Sequence, residues 1–410
     1  MLKTEAYSHL LNLADKMPVI DTHEHLPVFD SYIDVRPDVL FEYLSHYLSA
    51  DLHAAGLSFE EHAKISDSSL GVMERWDMLE PYLEQVRNTS YYKSLKIAMK
   101  KVHGIDDMTR ETIQALQDSF AKKTSDPDYR KSVMKDMLHI EKSITCSGTD
   151  DVKNETTEFF ARACYPETYI CPWDAPLADN LSDYCEDFKD TYYAWKEGGM
   201  ATLKIAIAYE RSLYFEDVPF EEAEILFDEY IREGKGGRFP KKLQDFMFHY
   251  VLSVANDDNF RVQIHTGLQE GMFNDIEKSN PMLLKNVFRI YPNLTFDLFH
   301  IGYPYNRQIL VLAKYHPNVY IDMCWAHIVS PHASREFFRE ALDVLPYTKI
   351  FAFGGDYKFF DGVVGHLTMA KGDICTVLAE KVAAGDYDMV FAEKILRAVF
   401  YDNAKRVFQI

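Results

Sequence analysis

The chain has 410 residues, with 44 Lys and Arg against 64 Asp and Glu, and its net charge of −20 repels nucleic acid and anionic membrane surfaces. At 47 % apolar and 26 % charged residues it has the composition of a folded globular chain with a large core, which excludes disorder as its main state. No run approaches the ~20 consecutive apolar residues of a membrane-spanning helix.

The first residues, Met1-Leu2-Lys3-Thr4-Glu5, lack the basic, apolar, small-residue order of a secretory signal, so a cytoplasmic location is expected. The six cysteines, Cys146, Cys164, Cys171, Cys185, Cys324 and Cys375, form no C-x-x-C pair and read as reduced, mostly buried thiols.

In chain order, the first strand-like run is 18–23. Residues 26–130 follow, rich in Leu, Tyr, Met, Lys and Glu at helical spacing, with periodic stretches at 39–52, 71–84 and 90–103. This reads as a mostly helical insertion. Because it leaves the C-terminal end of the first strand, it is expected to cap the C-terminal face and wall a substrate pocket. From about residue 142, short β-like runs alternate with longer helical ones, at 143–146, 168–171, 202–209, 261–265, 295–300, 319–323 and 350–354. With the first run these make eight, the count of a (β/α)₈ TIM barrel in the α/β class, and no linker divides the single domain 1–410.

Two features favour the barrel over an open doubly wound sheet. No glycine-rich phosphate fingerprint follows the first strand. In Arg261-Val-Gln-Ile-His265 the polar residues share one face, as they would lining a barrel lumen, and Lys204, Ala206 and Ala208 do the same. Asp297 and Asp322, inside strands, are expected to face helices or structural partners.

Asp21-Thr22-His23-Glu24-His25 carries the strongest chemical signal, since His23 and His25, two apart on a strand entering a loop, point into one volume. Two neutral imidazoles converging with a carboxylate suit a divalent transition metal, although the H-x-H spacing alone also fits a hydrogen-bonded histidine pair. Other strands end alike: one in His265, one in His300 and one in Asp356, each followed by loop-forming residues. In a barrel such ends converge at one mouth.

These residues, in this order, resemble the amidohydrolase superfamily: His-x-His after the first strand, histidines after the fifth and sixth, and Asp after the eighth. Phe299-His-Ile-Gly-Tyr-Pro-Tyr305 and Phe353-Gly-Gly-Asp-Tyr357 are most similar to its amidohydrolase 2 branch. The resemblance implies His23, His25, His265 and Asp356 as metal ligands, with His300 a second-metal ligand or a proton-transfer and substrate-orienting group. Lys204 lies where binuclear members carry a bridging lysine carbamate; a carbamate, an ion pair to Asp356 or Glu210, or contact with an anionic substrate would each satisfy its ammonium. One ion rather than two is the base reading. Zinc is the default, and manganese, iron, cobalt and nickel fit the same ligands. Tyr303, Trp325 and Lys358 follow strand ends and are candidates for the pocket wall, with Lys358 placed for an anionic group.

The chemistry this implies is hydrolysis of a small polar amide, ester or lactone by a metal-activated water, with Asp356 taking and returning the proton and His300 stabilising charge on the carbonyl oxygen. An alternative comes from Leu44-Ser-His46-Tyr47-Leu-Ser-Ala50-Asp-Leu-His53-Ala-Ala-Gly56, which is similar to a helical segment of uronate isomerases and brings in His46 as a substrate contact. Ala50 and His53 stand where that family has arginines, and Asp356-Tyr-Lys358 replaces its Asp-x-Arg. Non-oxidative decarboxylation is a further alternative. The partners expected are a small-molecule substrate and copies of the chain in a homo-oligomer, with no nucleic acid or membrane.

Overall fold

The computed structural model describes residues 2–27, 29, 37–146, 158–172, 178–234 and 238–410. Eight parallel strands follow one another in chain order: β1 (Val19–Glu24), β2 (Ile140–Thr145), β3 (Phe160–Cys164), β4 (Met200–Ile205), β5 (Arg261–Ile264), β6 (Thr295–Leu298), β7 (Val319–Asp322) and β8 (Ile350–Phe351). The segment after β8 closes the ring on β1, through Thr22 N to Phe353 O at 3.2 Å, Asp356 N to His23 O at 2.9 Å and His25 N to Tyr357 O at 3.2 Å. The result is a TIM barrel.

Strands of such a barrel are covered on both faces, so their residues are buried throughout, as all six of β1 are. The surrounding helices are amphipathic. In Leu181–Glu197, capped by the Asn180 side chain on Asp183 N, the buried residues Leu181, Tyr184, Cys185, Phe188 and Tyr192 recur at helical spacing. Phe360–Ala384 is apolar nearly all round, because it is packed on several sides. At Gly365 a Cβ would lie 2.1 Å from Ser94 O, so glycine lets Ser90–Ala98 approach this helix backbone to backbone.

Two sequence expectations are corrected. Residues 168–171 are not the third strand: Glu167–Ile170 is a helical turn opened by Pro166, and the strand is Phe160–Cys164, paired between β2 and β4. The fourth strand stops at Ile205, where a 3₁₀ turn, Ile207–Tyr209, takes over. Of the two surroundings expected for Asp297 and Asp322, the structure gives structural partners, on the lumen side. Gln263 donates to Asp297 Oδ2 at 3.0 Å and, across the barrel, to Thr22 O on β1 at 2.9 Å. Thr22 in turn donates to Asp322 Oδ2 at 2.5 Å. These residues form a polar floor beneath the mouth.

Between β1 and β2 the chain forms helices that include Val39–Tyr43, His46–Ala54, Val72–Val86, Ser90–Ala98 and Ile113–Thr124. A buried bidentate pair, Arg75 on Asp38 at 2.9 and 2.5 Å, joins the start of the first to the third of these, and Asp38 also caps Val39–Tyr43 through Phe41 N. All six cysteines are free and buried. No helix among the described residues is long and apolar enough to cross a membrane.

Candidate metal centre

The barrel brings four of the predicted side chains together at the C-terminal ends of its strands. His23 Nε2 and His25 Nε2 lie 3.2 Å apart and both face Asp356 Oδ1, at 3.4 and 3.2 Å. The other oxygen, Asp356 Oδ2, is 3.9 Å from His300 Nε2. Asp356 thus stands between the histidine pair of β1 and the histidine that ends β6.

Hydrogen bonds fix the tautomers of the rest. The Cys324 carbonyl, 2.9 Å from His300 Nδ1, accepts its proton, so Nε2 of neutral His300 carries a lone pair. That lone pair accepts from His265 Nδ1 at 3.0 Å, which leaves His265 Nε2 as a bare lone pair, buried without a partner. Burial holds the imidazoles in the neutral form this requires, with His300 lowered to about 4 and His23 and His265 well below the usual histidine range. Against burial, which would raise it, hydrogen bonds from His23 and His25 hold the Asp356 carboxyl well below the ordinary range, so it is ionised.

This donor set fits a divalent ion. His23, His25 and Asp356 offer ligand atoms within 4.8 Å of one another, and the unpartnered His265 Nε2 is a buried lone pair of the kind a metal satisfies. His265 is not part of that tight group; it joins through His300. A second group, His300, Cys324 and Asp356, shares the same carboxylate. Burial pushes the Cys324 thiol well above its usual range.

Backbone strain concentrates here. His46, His300, Ile301, Trp325 and Asp356 all have positive φ, between 50° and 63°, a region non-glycine residues seldom occupy.

Over the centre lies a cavity of about 180 Å³. Predicted residues that line it include His25, Lys204, His265 and Asp356, together with His46, Trp325 and Lys358. Tyr303 does not line it. Its ring packs against the core, and its backbone crowds Gly267 so closely that a Cβ there would lie 2.4 Å from Tyr303 O. Ala206 also lines it, as do Tyr47, Tyr165, Tyr209 and Glu270, which the sequence reading did not place in the pocket. Tyr47 adjoins the predicted His46, and Glu270 lies three residues past the glycine that ends β5's loop entry, the two local cues on offer.

Lys204 Nζ sits 3.7 Å over the Phe299 ring, and no carboxylate lies within 4.0 Å of it among the described residues. Glu210, one of its candidate partners, is paired with Arg238. At the rim, Lys358 Nζ is 3.5 Å from Glu270 Oε2, and Glu270 Oε1 is 4.0 Å from His46 Nε2. His46 stacks on Tyr357, with its Nε2 buried and unpartnered.

Burial lowers the His46 imidazole to about 4. Its folded value lies below the unfolded one, near 6.5, so its contribution is fully present above pH ~6.5 and is lost as pH falls towards 4. Relative to His46→Phe, the wild type should therefore lose up to about 3 kcal/mol of stability across that window. Urea titrations of both proteins at pH 7 and pH 4.5 check this, and parallel losses would refute it.

Residues 232–410 match the family model described as Amidohydrolase. Over 177 residues the chain is 29 % identical to the fluG protein of Emericella nidulans, covering 42 % of this chain and 20 % of that one. It is 24 % identical over 215 residues to a uronate isomerase of Caulobacter vibrioides, covering 47 % of this chain and 44 % of the relative. These matches span less than half the length of either curated relative. The fold superposes on that of a Thermotoga maritima uronate isomerase with a TM-score of 0.78 at 17 % identity, over 98 % of this chain and 97 % of that one.

Among the described residues, an eight-stranded barrel brings histidines and an aspartate together at its mouth, the end at which TIM barrels build their sites. Over its C-terminal part, residues 232–410, the chain is similar to the amidohydrolase family.

Proposed function

We propose that this chain is a metal-dependent hydrolase that acts on a small anionic amide, ester or lactone. The observation that carries the reading is the split carboxylate of Asp356, one oxygen towards His23 and His25 and the other towards His300, beneath a cavity holding two lysines. His23, His25 and Asp356, with His265 through its open Nε2, would hold one divalent ion. Such an ion supplies Lewis acidity and makes water a nucleophile at neutral pH.

The protein's own groups do the rest. Asp356, kept ionised, accepts a proton and returns it to the leaving group. His300 lacks a proton on Nε2, so it serves as a second acceptor beside Asp356 rather than as a donor to the carbonyl oxygen, the role first read from the sequence. Lys204, a buried cation without a carboxylate partner, takes that electrostatic role, and Lys358 at the rim attracts a negatively charged substrate. The helices between β1 and β2, which supply His46 and Tyr47 to the wall, act as the cap. The cavity's volume suits a molecule no larger than a single sugar.

A second reading, isomerisation of a sugar acid, is favoured by His46, whose unpartnered Nε2 faces Glu270 where a hydroxyl could bridge them, and by the uronate isomerase relative. The lysines would then take the carboxylate in place of arginines.

The test is elemental analysis of protein purified without chelators, followed by assays against anionic lactones, amides and esters and against uronates. About one divalent ion per chain is expected. Lys204→Met should retain that ion and raise KM about tenfold or more for an anionic substrate. Two ions falling to one in Lys204→Met would instead mark a bridging carbamate, and a protein that takes up no zinc or manganese would overturn the proposal.

A further inference from the structure

The β1 segment holds more than ligands. Three consecutive amides around Asp356 are each held by it. Gly355 N donates to Asp21 Oδ1 at 3.0 Å, Asp356 N to the His23 carbonyl at 2.9 Å, and Tyr357 N to Glu24 Oε2 at 2.8 Å. Asp21 Oδ1 also accepts from His23 N at 3.2 Å, so a single oxygen ties together the backbones that carry two metal-facing side chains. His366 Nδ1, 3.2 Å from the Gly355 carbonyl, holds the same peptide from the opposite side.

Both carboxyl groups are fully buried and hydrogen-bond to each other, burial raising both so that one proton is shared between them. Interior carboxyls are costly, and packing the barrel closed does not call for them, because the backbone bonds between β1 and the segment after β8 already do that. What they add is control of the conformation at Asp356, whose φ of 58° an L-residue rarely adopts unaided. Gly355 belongs to the same device: a Cβ there would stand 1.7 Å from Glu24 Oε1, so the glycine exists beside this glutamate and no larger residue can.

We propose that Asp21 and Glu24 are positioning residues for Asp356, gripping the amides on either side of it so that its left-handed backbone aims one oxygen at His23 and His25 and the other at His300. This rests on the reading of Asp356 as a metal ligand. The grip explains why Asp356 reaches both sides of the centre at once, which a freely rotating loop residue would not do reproducibly.

The test is Co²⁺ affinity, by competition with a chromophoric chelator, and the visible absorption of bound Co²⁺, in the wild type, Glu24→Ala, Glu24→Gln, Gly355→Ala and Asp356→Asn, with thermal unfolding alongside. Glutamine keeps an oxygen for Tyr357 N and offers its NH₂ to Asp21 in place of the shared carboxyl proton, so Glu24→Gln should bind within about twofold of wild type. Glu24→Ala and Gly355→Ala should each bind at least about tenfold more weakly, with an altered Co²⁺ band. Their combination should be no worse than Glu24→Ala alone, since the added methyl then has room. Wild-type affinity and spectrum in Glu24→Ala, with binding lost in Asp356→Asn, overturns the positioning role alone. No Co²⁺ uptake by the wild type overturns the metal reading and this one with it. If Glu24→Ala does not fold, Glu24→Asp, one methylene shorter, is read by the same tenfold criterion.

Discussion

Asp356→Asn keeps its fold and lowers turnover by about 10²- to 10⁴-fold, while also weakening metal retention. The change conserves shape, and the Asp356 main-chain N–H still reaches the His23 carbonyl, so circular dichroism and the unfolding midpoint should stay close to wild type. What disappears is charge. A carboxylate has lone pairs for the two imidazoles of β1 on one oxygen and full negative charge across both, whereas an amide presents a carbonyl to one side and a donor to the other. The donor either meets the nitrogens that should bind the ion or competes with His265 Nδ1 for the His300 lone pair. An amide also cannot take up a proton at neutral pH, which removes the acceptor whichever bond is broken or moved. Steady-state kinetics with an established substrate, together with metal content, decide the matter; activity within about twofold of wild type would remove Asp356 from the chemistry.

This residue was legible in the sequence for a physical reason. Barrel strands place their last residues at one mouth, so polar residues that end apolar runs are informative even without contacts, and His265, His300 and Asp356 each do so. The residues that sequence placed poorly fail for equally physical reasons. Phe160–Cys164 has an Ala-Arg-Ala centre with no β-branched residue, and becomes a strand because β2 and β4 flank it; Thr168-Tyr-Ile reads as a strand but follows a proline that starts a turn. For Asp297 and Asp322 the choice between helices and structural partners stayed open because both faces of a barrel strand are buried, so alternation alone does not say which face is the lumen. Tyr165, Tyr209 and Glu270 reach the cavity from separate loops, and Tyr47 from the helices after β1. Only the closed barrel brings those segments together. Asp21 and Glu24 were in plain view beside His23, yet the amides they hold lie more than 330 positions away.

The same long reach governs the largest stability effect expected. Asp361 opens the helix Phe360–Ala384 five residues after Asp356, and its buried carboxylate gathers three donors from the helical region between β1 and β2. Oδ2 accepts from the Tyr43 hydroxyl at 2.7 Å and from His103 Nε2 at 2.8 Å, and Oδ1 accepts from the Tyr129 hydroxyl. His103 is itself oriented by Ser119, 2.9 Å from its Nδ1. Burial, and then the Asp361 charge, hold the Tyr43 and Tyr129 hydroxyls protonated as donors. Asp361→Ala would leave all three without a partner in the interior, at about 1–3 kcal/mol for each unsatisfied group and on the order of 3–5 kcal/mol or more together. Against a typical folding stability of about 5–15 kcal/mol that is a large share. Asp361→Asn, which keeps one good acceptor and lets a tyrosine hydroxyl turn round to meet the amide, should cost less than half as much. Urea denaturation of the three proteins checks the order, and a loss below about 1 kcal/mol in Asp361→Ala would refute it. The functional consequence is separable: Tyr43 lies three residues before His46, so loosening this anchor should weaken the cavity wall before the barrel yields. A denaturation curve of Asp361→Ala with an early, small transition, accompanied by lost ligand binding while the main transition persists, is therefore the expected form of the damage.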